Sequence, residues 1–250
     1  MAKVISVFNQ KGGVGKTTTV INLSAAIARK KNKVLVIDVD PQANATSGLG
    51  LGGHEGKNIY DLLDSGEVEI LHSQTKGLDL IASSPDLAGV ELEISKRDNW
   101  QYILKVTLEK IKEDYDYIFI DSPPSLGVLS MISLVASDSI FIPVQSEYYA
   151  LEGVGQLMNT ISMVKDNFNP DLTIEGVVMC MYDSRTKLST QVKDEVKKYF
   201  KEKVYNTTIP RNIRLAEAPS FGTHIFDYDN LSKGAWSYRK LAKEFLNNQE

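Results

Sequence analysis

The residues of this chain best suited to chemistry are Asn9-Gln10-Lys11-Gly12-Gly13-Val14-Gly15-Lys16-Thr17-Thr18, directly after the apolar run Val4-Ile5-Ser6-Val7-Phe8. A short strand, a glycine-rich turn and a helix opening at Lys-Thr together make a cradle for a polyphosphate. Gly12, Gly13 and Gly15 can take backbone conformations that residues with a Cβ resist, so successive N–H groups turn inward on one anion. A helix starting at Lys16 adds its unpaired N–H groups and the positive end of its dipole. Lys16 then reaches the β- and γ-phosphates, and the Thr17 hydroxyl takes one position on Mg²⁺. The common spacing G-x-x-x-x-G-K-[ST] is broken, because Gln10 stands where the first glycine belongs and a second cation, Lys11, precedes Gly12-Gly13. The alternative is a glycine-rich turn with two solvated lysines. Three glycines, two lysines and two threonines at this spacing leave that alternative little room.

The elements that position this loop follow from hydrophobic pattern. Apolar runs alternate with amphipathic stretches, which predicts a mostly parallel α/β sheet with helices on both faces. Predicted strands are 4–8, 34–39, 78–82, 117–121, 139–144 and 175–181, several of them continuous Val/Ile/Phe runs suited to strands covered on both faces. Predicted helices are 16–30, 100–113, 126–135, 151–168, 192–201 and 231–246. With no repeat, low-complexity segment or Pro/Ser-rich linker, residues 1–250 are expected to form one domain.

In open α/β sheets ligands bind at the carboxyl ends of the strands. There the second predicted strand delivers Asp38-Val39-Asp40-Pro41-Gln42-Ala43-Asn44, and the fourth delivers Asp121-Ser122-Pro123-Pro124. An apolar strand that ends in Asp beside a phosphate loop holds Mg²⁺ through a bound water, and Asp121 fits that role. A strand-terminal Asp that merely caps the following turn describes Asp38 better than Asp40.

Composition sets the outer bounds. The chain has 250 residues and a net charge of −4. It has no apolar run near the ~18–20 residues a membrane span needs. The start Met1-Ala2-Lys3 enters a strand at once, so no signal peptide is expected. The single cysteine, Cys180, reads as a buried thiol in a reducing cytosol. Residues 1–175 carry 15 Lys/Arg against 23 Asp/Glu, whereas residues 176–250 carry 13 against 9. That basic bias is a docking patch for a polyanion or ordinary solvated surface, the second being commoner.

Lys11–Thr18 (K-G-G-V-G-K-T-T) resembles the deviant Walker A box of the ParA/MinD ATPases, which are P-loop NTPases. The resemblance covers essentially the whole chain and is nearest to chromosomal ParA proteins of the Soj type. It includes Asp38–Thr46, Asp121–Gly127, Ser146–Gly153, Met181–Thr186, Val196–Phe200 and Ile209–Gly222. It implies that Lys11, Gly12, Gly13, Val14, Gly15, Lys16, Thr17 and Thr18 hold ATP, with Lys11 crossing a dimer interface to the partner's nucleotide. It further implies that Thr17 and, through water, Asp121 hold Mg²⁺. Asp40 orients or deprotonates the attacking water, so Lys11, Lys16 and Asp40 are the catalytic candidates. Pro210 and Asn212 lie against the adenine, while Arg185 and Arg214 bind DNA without regard to sequence.

The function so implied is an ATP-dependent partitioning switch in the cytoplasm, associated with the nucleoid. ATP closes a sandwich homodimer that binds double-stranded DNA non-specifically, and hydrolysis releases it. Intrinsic turnover is expected to be slow and to be stimulated by a ParB-like centromere-binding protein. No stable membrane association is expected. The C-terminal helix of MinD proteins lies in the membrane interface, but the apolar stripe Tyr238, Leu241, Ala242, Phe245 and Leu246 is better suited to docking on the sheet. Nitrogenase-type iron proteins need two cysteines per subunit, and the larger plasmid ATPases add an N-terminal helix-turn-helix. The rival readings are a MinD-like or protein-cargo-positioning ATPase and, in another class, a ligase of the dethiobiotin-synthetase type.

Overall fold

Runs of Val, Ile and Phe almost free of charge form strands only where both faces are covered, and all six predicted runs lie in one eight-stranded sheet. The computed structural model describes residues 1–147 and 150–249; Tyr148 and Tyr149 of the Ser146–Gly153 segment, and Glu250, lie outside the described residues. The strands are β1 (Lys3–Val7), β2 (Val34–Asp38), β3 (Leu71–His72), β4 (Leu78–Ile81), β5 (Tyr117–Asp121), β6 (Ser139–Gln145), β7 (Thr173–Tyr182) and β8 (Val204–Pro210). Their order is β3-β4-β2-β5-β1-β6-β7-β8, and only the short edge strand β3 runs antiparallel. The helices are α1 (Lys16–Ala28), α2 (Asn44–Gly48), α3 (Ile59–Asp64), α4 (Leu87–Ile94), α5 (Ile103–Leu108), α6 (Val128–Ala136), α7 (Ala150–Asn167), α8 (Lys187–Phe200), α9 (Ile213–Glu217), α10 (Ile225–Tyr228) and α11 (Lys233–Asn247).

Strand side chains alternate between two helical layers. Ile5, Val7, Val36 and Phe119 pack with Ile21 and Leu23 of α1 and Tyr238, Leu241 and Phe245 of α11. Val4, Leu35, Ile37 and Ile118 turn the other way, onto α3, α4, α5 and α6. Ile140, Ile142, Val177 and Met179 meet α7 and α8 on that same side. The C-terminal stripe is thus built into the core. The Phe245 ring centroid lies 5.3 Å from Tyr117 and 5.9 Å from Phe119, which explains the stripe without a membrane. No helix among the described residues is long and apolar enough to cross a membrane.

Besides the unpredicted β3 and the helices α2, α3, α4, α9 and α10, the structure departs from the predicted elements chiefly in three places. The single helix expected over 100–113 is a turn at Trp100–Tyr102, then α5, in which Leu104, Thr107 and Leu108 are buried, then a turn at Lys112–Asp114. Helix α8 begins at Lys187, five residues earlier than predicted, since the Thr186 hydroxyl caps it by accepting from Ser189 N. Strand β8 was not predicted. It is an edge strand paired only with β7, so Asn206 and Thr208 alternate with Tyr205 and Thr207 instead of forming a continuous apolar run. That omission matters, because β8 delivers Pro210 and Asn212 to the site.

Candidate active site

The phosphate loop leaves β1 at the centre of the sheet, between β5 and β6, where successive connections diverge. Gly13 (φ +73°) and Gly15 (φ +97°) occupy the left-handed region. Gly12 does not, and a Cβ there would meet nothing within 4 Å. Backbone conformation therefore requires glycine at 13 and 15 but not at 12, where the expectation from sequence is corrected. Val14 is buried beneath the loop, and Thr17 and Thr18 are half-buried on the first turn of α1.

Register sets the carboxylates. Val7 pairs with Asp121 and Asp121 with Asp38, so the root of the loop and two acids form one row across β1, β5 and β2. Asp38 is fully used: it accepts from Asp40 N at 3.2 Å, Thr46 N at 2.8 Å and the Thr46 hydroxyl at 2.8 Å. It holds the turn into α2, as expected from sequence. Thr46 itself was not singled out in the sequence; its hydroxyl also accepts from Ser83 N at 3.0 Å and so ties β2 to the loop after β4. Asp40 keeps spare capacity, since only its Oδ1 is engaged, accepting from Gln42 N at 2.9 Å.

Lys16 is buried, and its Nζ donates to Lys11 O at 3.3 Å. Burial lowers its pKa, and the nearby Asp121 and Asp40 partly restore it. Asp121 is wholly buried, and neither carboxylate oxygen has a hydrogen-bond partner among the described residues. Burial raises its pKa well above the ordinary value and the Asp38 charge adds to this, while Thr17 and Lys16 oppose it. Burial likewise raises Asp38 to about 6. A buried, unpartnered carboxylate beside a hydroxyl fits a hard divalent cation such as Mg²⁺, which takes oxygen ligands. Among the described residues no group of three or more His, Cys, Asp or Glu could form a metal cage alone.

These acids set a pH dependence. Their folded pKa values lie above the unfolded ones, so the native state holds protons that the unfolded chain releases above about pH 4. Stability of the ligand-free protein should therefore fall as pH rises from about 4 through 6. Asp121→Asn removes one such group and should raise the ligand-free melting temperature at pH 7 by at least about 2–4 °C, the shift expected per kcal/mol at this size. Thermal scans at pH 5 and pH 7 check it; a gain absent at pH 7, or larger at pH 5, would refute the account.

Beside the loop, a pocket of about 200 Å³ is lined by Gly15, Thr18, Cys180, Ile209, Pro210 and Asn212, with Tyr238 among its walls. Pro210 and Asn212, which the family resemblance assigns to the adenine, both line this pocket. Among the described residues the buried Asn212 Oδ1 has no partner, and it is an acceptor suited to an amino group on a flat ring. Cys180, Ile209 and Tyr238 were not recognised as pocket residues, because apolar side chains carry no signal of the cavity they line. Burial pushes the Cys180 thiol up to about 12, so it serves as wall, not nucleophile.

Lys11 lies apart from this arrangement. Its side chain is 35% exposed and its ammonium lies 3.7 Å from Glu147, which is also 3.7 Å from Arg211. Sequence reasoning did not single out Glu147, although it lies in the Ser146–Gly153 segment. Arg185 and Arg214 follow neighbouring strands whose Tyr182 and Pro210 are paired, so they emerge at the same end of the sheet. Both are tied to acids. Asp183 accepts from Arg185 at 2.9 and 2.8 Å, and this pairing holds the Asp183 carboxyl down at about 2. Arg214 donates to Glu217 at 3.0 Å and lies 3.5 Å from Asp229.

Known proteins resemble this chain in sequence and fold. A family model described as an AAA domain matches residues 2–174. The chain is 52% identical over 252 residues to the sporulation initiation inhibitor protein Soj of Bacillus subtilis, covering 99% of this chain and 100% of that protein. It is 46% identical to the chromosome partitioning protein ParA of Myxococcus xanthus, covering 98% and 88%. Among solved structures it resembles a cobyrinic acid a,c-diamide synthase of Mycobacterium smegmatis, at 35% identity and a TM-score of 0.86, covering 100% and 96%. That protein was solved with ADP and magnesium and with an ATP analogue and magnesium. With a deviant phosphate loop on β1, carboxylates on β2 and β5, and similarity over its whole length, the chain belongs to the ParA/MinD family of P-loop ATPases, alongside the Soj/ParA partitioning proteins.

Proposed function

We propose that this protein is an ATP-driven DNA-partitioning switch that closes as a sandwich homodimer, binds double-stranded DNA without sequence preference, and reopens on hydrolysis. The observation that carries this reading is the division of labour between the loop lysines. Lys16 is buried over Asp121 and Asp40, whereas the Lys11 side chain is partly exposed and, among the described residues, its ammonium pairs only with Glu147. A surface pair of that kind is worth little, so Lys11 is available to a second subunit. The apolar pocket would take adenine against Pro210 and Asn212, and Thr17 and, through water, Asp121 would hold Mg²⁺, which would supply positive charge to the phosphates. Closure puts two copies of a weak basic surface on one duplex, and bivalency raises avidity by ~10²-fold or more. A ParB-like protein is the expected accelerator, and the protein is expected to act in the cytoplasm on the nucleoid.

Arg185→Ala and Arg214→Ala should each weaken DNA binding while leaving ATP-driven dimerisation intact. Two contacts per subunit predict a slope of log K against log salt near −3.6, at about −0.9 per phosphate, and each substitution makes it shallower by about 1.8. Salt titration of the ATP form on two unrelated duplexes tests this. Unchanged slopes in both variants, or wild-type binding to only one duplex, would remove these arginines from the interface. A metabolic ligase is the second reading, favoured by the name of the solved relative. Phosphate release that rises with duplex DNA and a ParB-like protein, and not with a carboxylic acid and an amide donor, separates the two.

A further inference from the structure

We infer that Ser83, just past the end of β4, is a positioning residue for hydrolysis that fixes the main chain of Asp40, a role that rests on Asp40 being the water-aligning acid of the proposed function. Val39 N donates to Asp121 O at 3.0 Å, and the pairing of β2 with β5 ends there, so Asp40 lies beyond the last rung of the sheet. Its hydrogen bonds among the described residues are few. Asp40 N donates to Asp38 Oδ1 at 3.2 Å, and Gln42 N donates to Asp40 Oδ1 at 2.9 Å. The Asp40 carbonyl accepts from Ala43 N at 2.9 Å and from the Ser83 hydroxyl at 2.7 Å. Asp38, Gln42 and Ala43 belong to the same turn and move with it. The Ser83 bond alone comes from another strand, 43 positions along the chain.

The turn needs that outside support. Ala43 sits at φ +51°, in the left-handed region that a residue with a Cβ resists. It leads into α2, a helix of five residues, too short to be rigid without packing. Ser83, by contrast, is anchored before its hydroxyl is used. Strand β4 pairs with β2 through Ile81 and Ile37, Ile59 N donates to Ala82 O at 2.9 Å, and Ser83 N donates to the Thr46 hydroxyl at 3.0 Å. At 7% exposure the Ser83 bond to Asp40 is shielded from water, which strengthens it. A serine that only ended a strand would satisfy its hydroxyl within its own loop. Here the hydroxyl instead ties the acid's main chain to the sheet.

Losing the bond should affect turnover and not binding. Lys16 and Thr17 stand on α1 and Asp121 on β5, none of them held by Ser83. Asp40 would keep its carboxylate but lose its fixed place, and a displacement of about 1 Å in an acting group can cost on the order of 10²-fold in rate.

Ser83→Ala removes this bond alone, because the Ser83 N–H still reaches Thr46. In the full-length protein, single-turnover phosphate release from labelled ATP should fall by about tenfold or more, with ATP affinity and ATP-driven dimerisation unchanged. In an Asp40→Ala background the same substitution should change the residual rate by less than about twofold, since no carboxylate is left to place. Ser83→Cys fills the same space with a weak donor and should be slowed as Ser83→Ala is. Equal losses in the two backgrounds would mark a merely structural hydroxyl and overturn the role. So would a Ser83→Cys protein at the wild-type rate, which would make shape the requirement, or a Ser83→Ala protein that no longer binds ATP. A stalled Asp40→Ala beside a normal Ser83→Ala would overturn Ser83 alone. If Asp40→Ala itself releases phosphate at the wild-type rate, the assignment of Asp40 has failed and the role of Ser83 falls with it.

Discussion

Lys16→Ala is expected to bind no measurable ATP, whereas Lys11→Ala should bind ATP as the wild type does, yet stay monomeric and inactive. Lys16 is buried beside two acids, and its charge is the cation they face. Without it a polyphosphate would enter a site holding Asp121 and Asp40 with nothing on α1 to offset them. One charge-assisted contact to phosphate contributes about 1.5–3 kcal/mol, and the exposed like charges add to the loss, so affinity should fall by about 100-fold or more. Lys11 contributes only its main chain to the loop of its own subunit, through the N–H that donates to Asn9 Oδ1 at 3.0 Å and the carbonyl that accepts from Lys16. Alanine keeps both. Calorimetric titration with ATP and size-exclusion chromatography in ATP and ADP distinguish the two variants. A Lys11→Ala protein that dimerises and hydrolyses normally would eliminate the cross-subunit role, and a Lys16→Ala protein with wild-type affinity would eliminate the loop as the phosphate site.

Asp40→Ala should bind ATP and Mg²⁺, dimerise and then stall, with phosphate release reduced by about 10²–10⁴-fold. The carboxylates on β2 differ in what they have left to offer. Asp38 gives its oxygens to Asp40 N, Thr46 N and the Thr46 hydroxyl, so it has no room for a reacting water. Asp40 gives one bond to Gln42 N, is buried to 8% exposure, and retains an oxygen that makes no hydrogen bond among the described residues. It is the acid able to accept a proton or align a water. Removing it leaves Lys16, Thr17 and Asp121 in place, so binding survives and turnover does not. The expected protein remains on DNA in ATP, and single-turnover phosphate release reads the defect. If Asp40→Ala is monomeric in ATP, the residue instead holds metal or structure.

The parts of this protein legible in its sequence are those where one local requirement dictates residue type. Positive φ at Gly13 and Gly15 admits little but glycine, and a buried strand between two helical layers needs Val and Ile throughout, as in Val34–Ile37. A strand that ends in Asp beside such a loop also shows itself, which is why Lys16 and Asp121 could be named from order and spacing, whereas Asp40 was named through the family resemblance. Other features were invisible because they depend on what lies across the sheet. Edge strand β8 lacks an apolar run since only one face is covered. The apolar pocket beside the loop draws Cys180, Ile209 and Tyr238 from three distant segments. Sequence supplied the basic bias of the last third, yet only packing decided which cations are neutralised and which stand free. Arg185 and Arg214 fold against carboxylates two to fifteen positions away, while Lys240 and Lys243 join Arg29 and Lys30, more than 200 positions distant, because α11 docks beside α1. Charge pairing is a matter of a few ångströms, and chain order does not set those distances; the packing of helices on the sheet does.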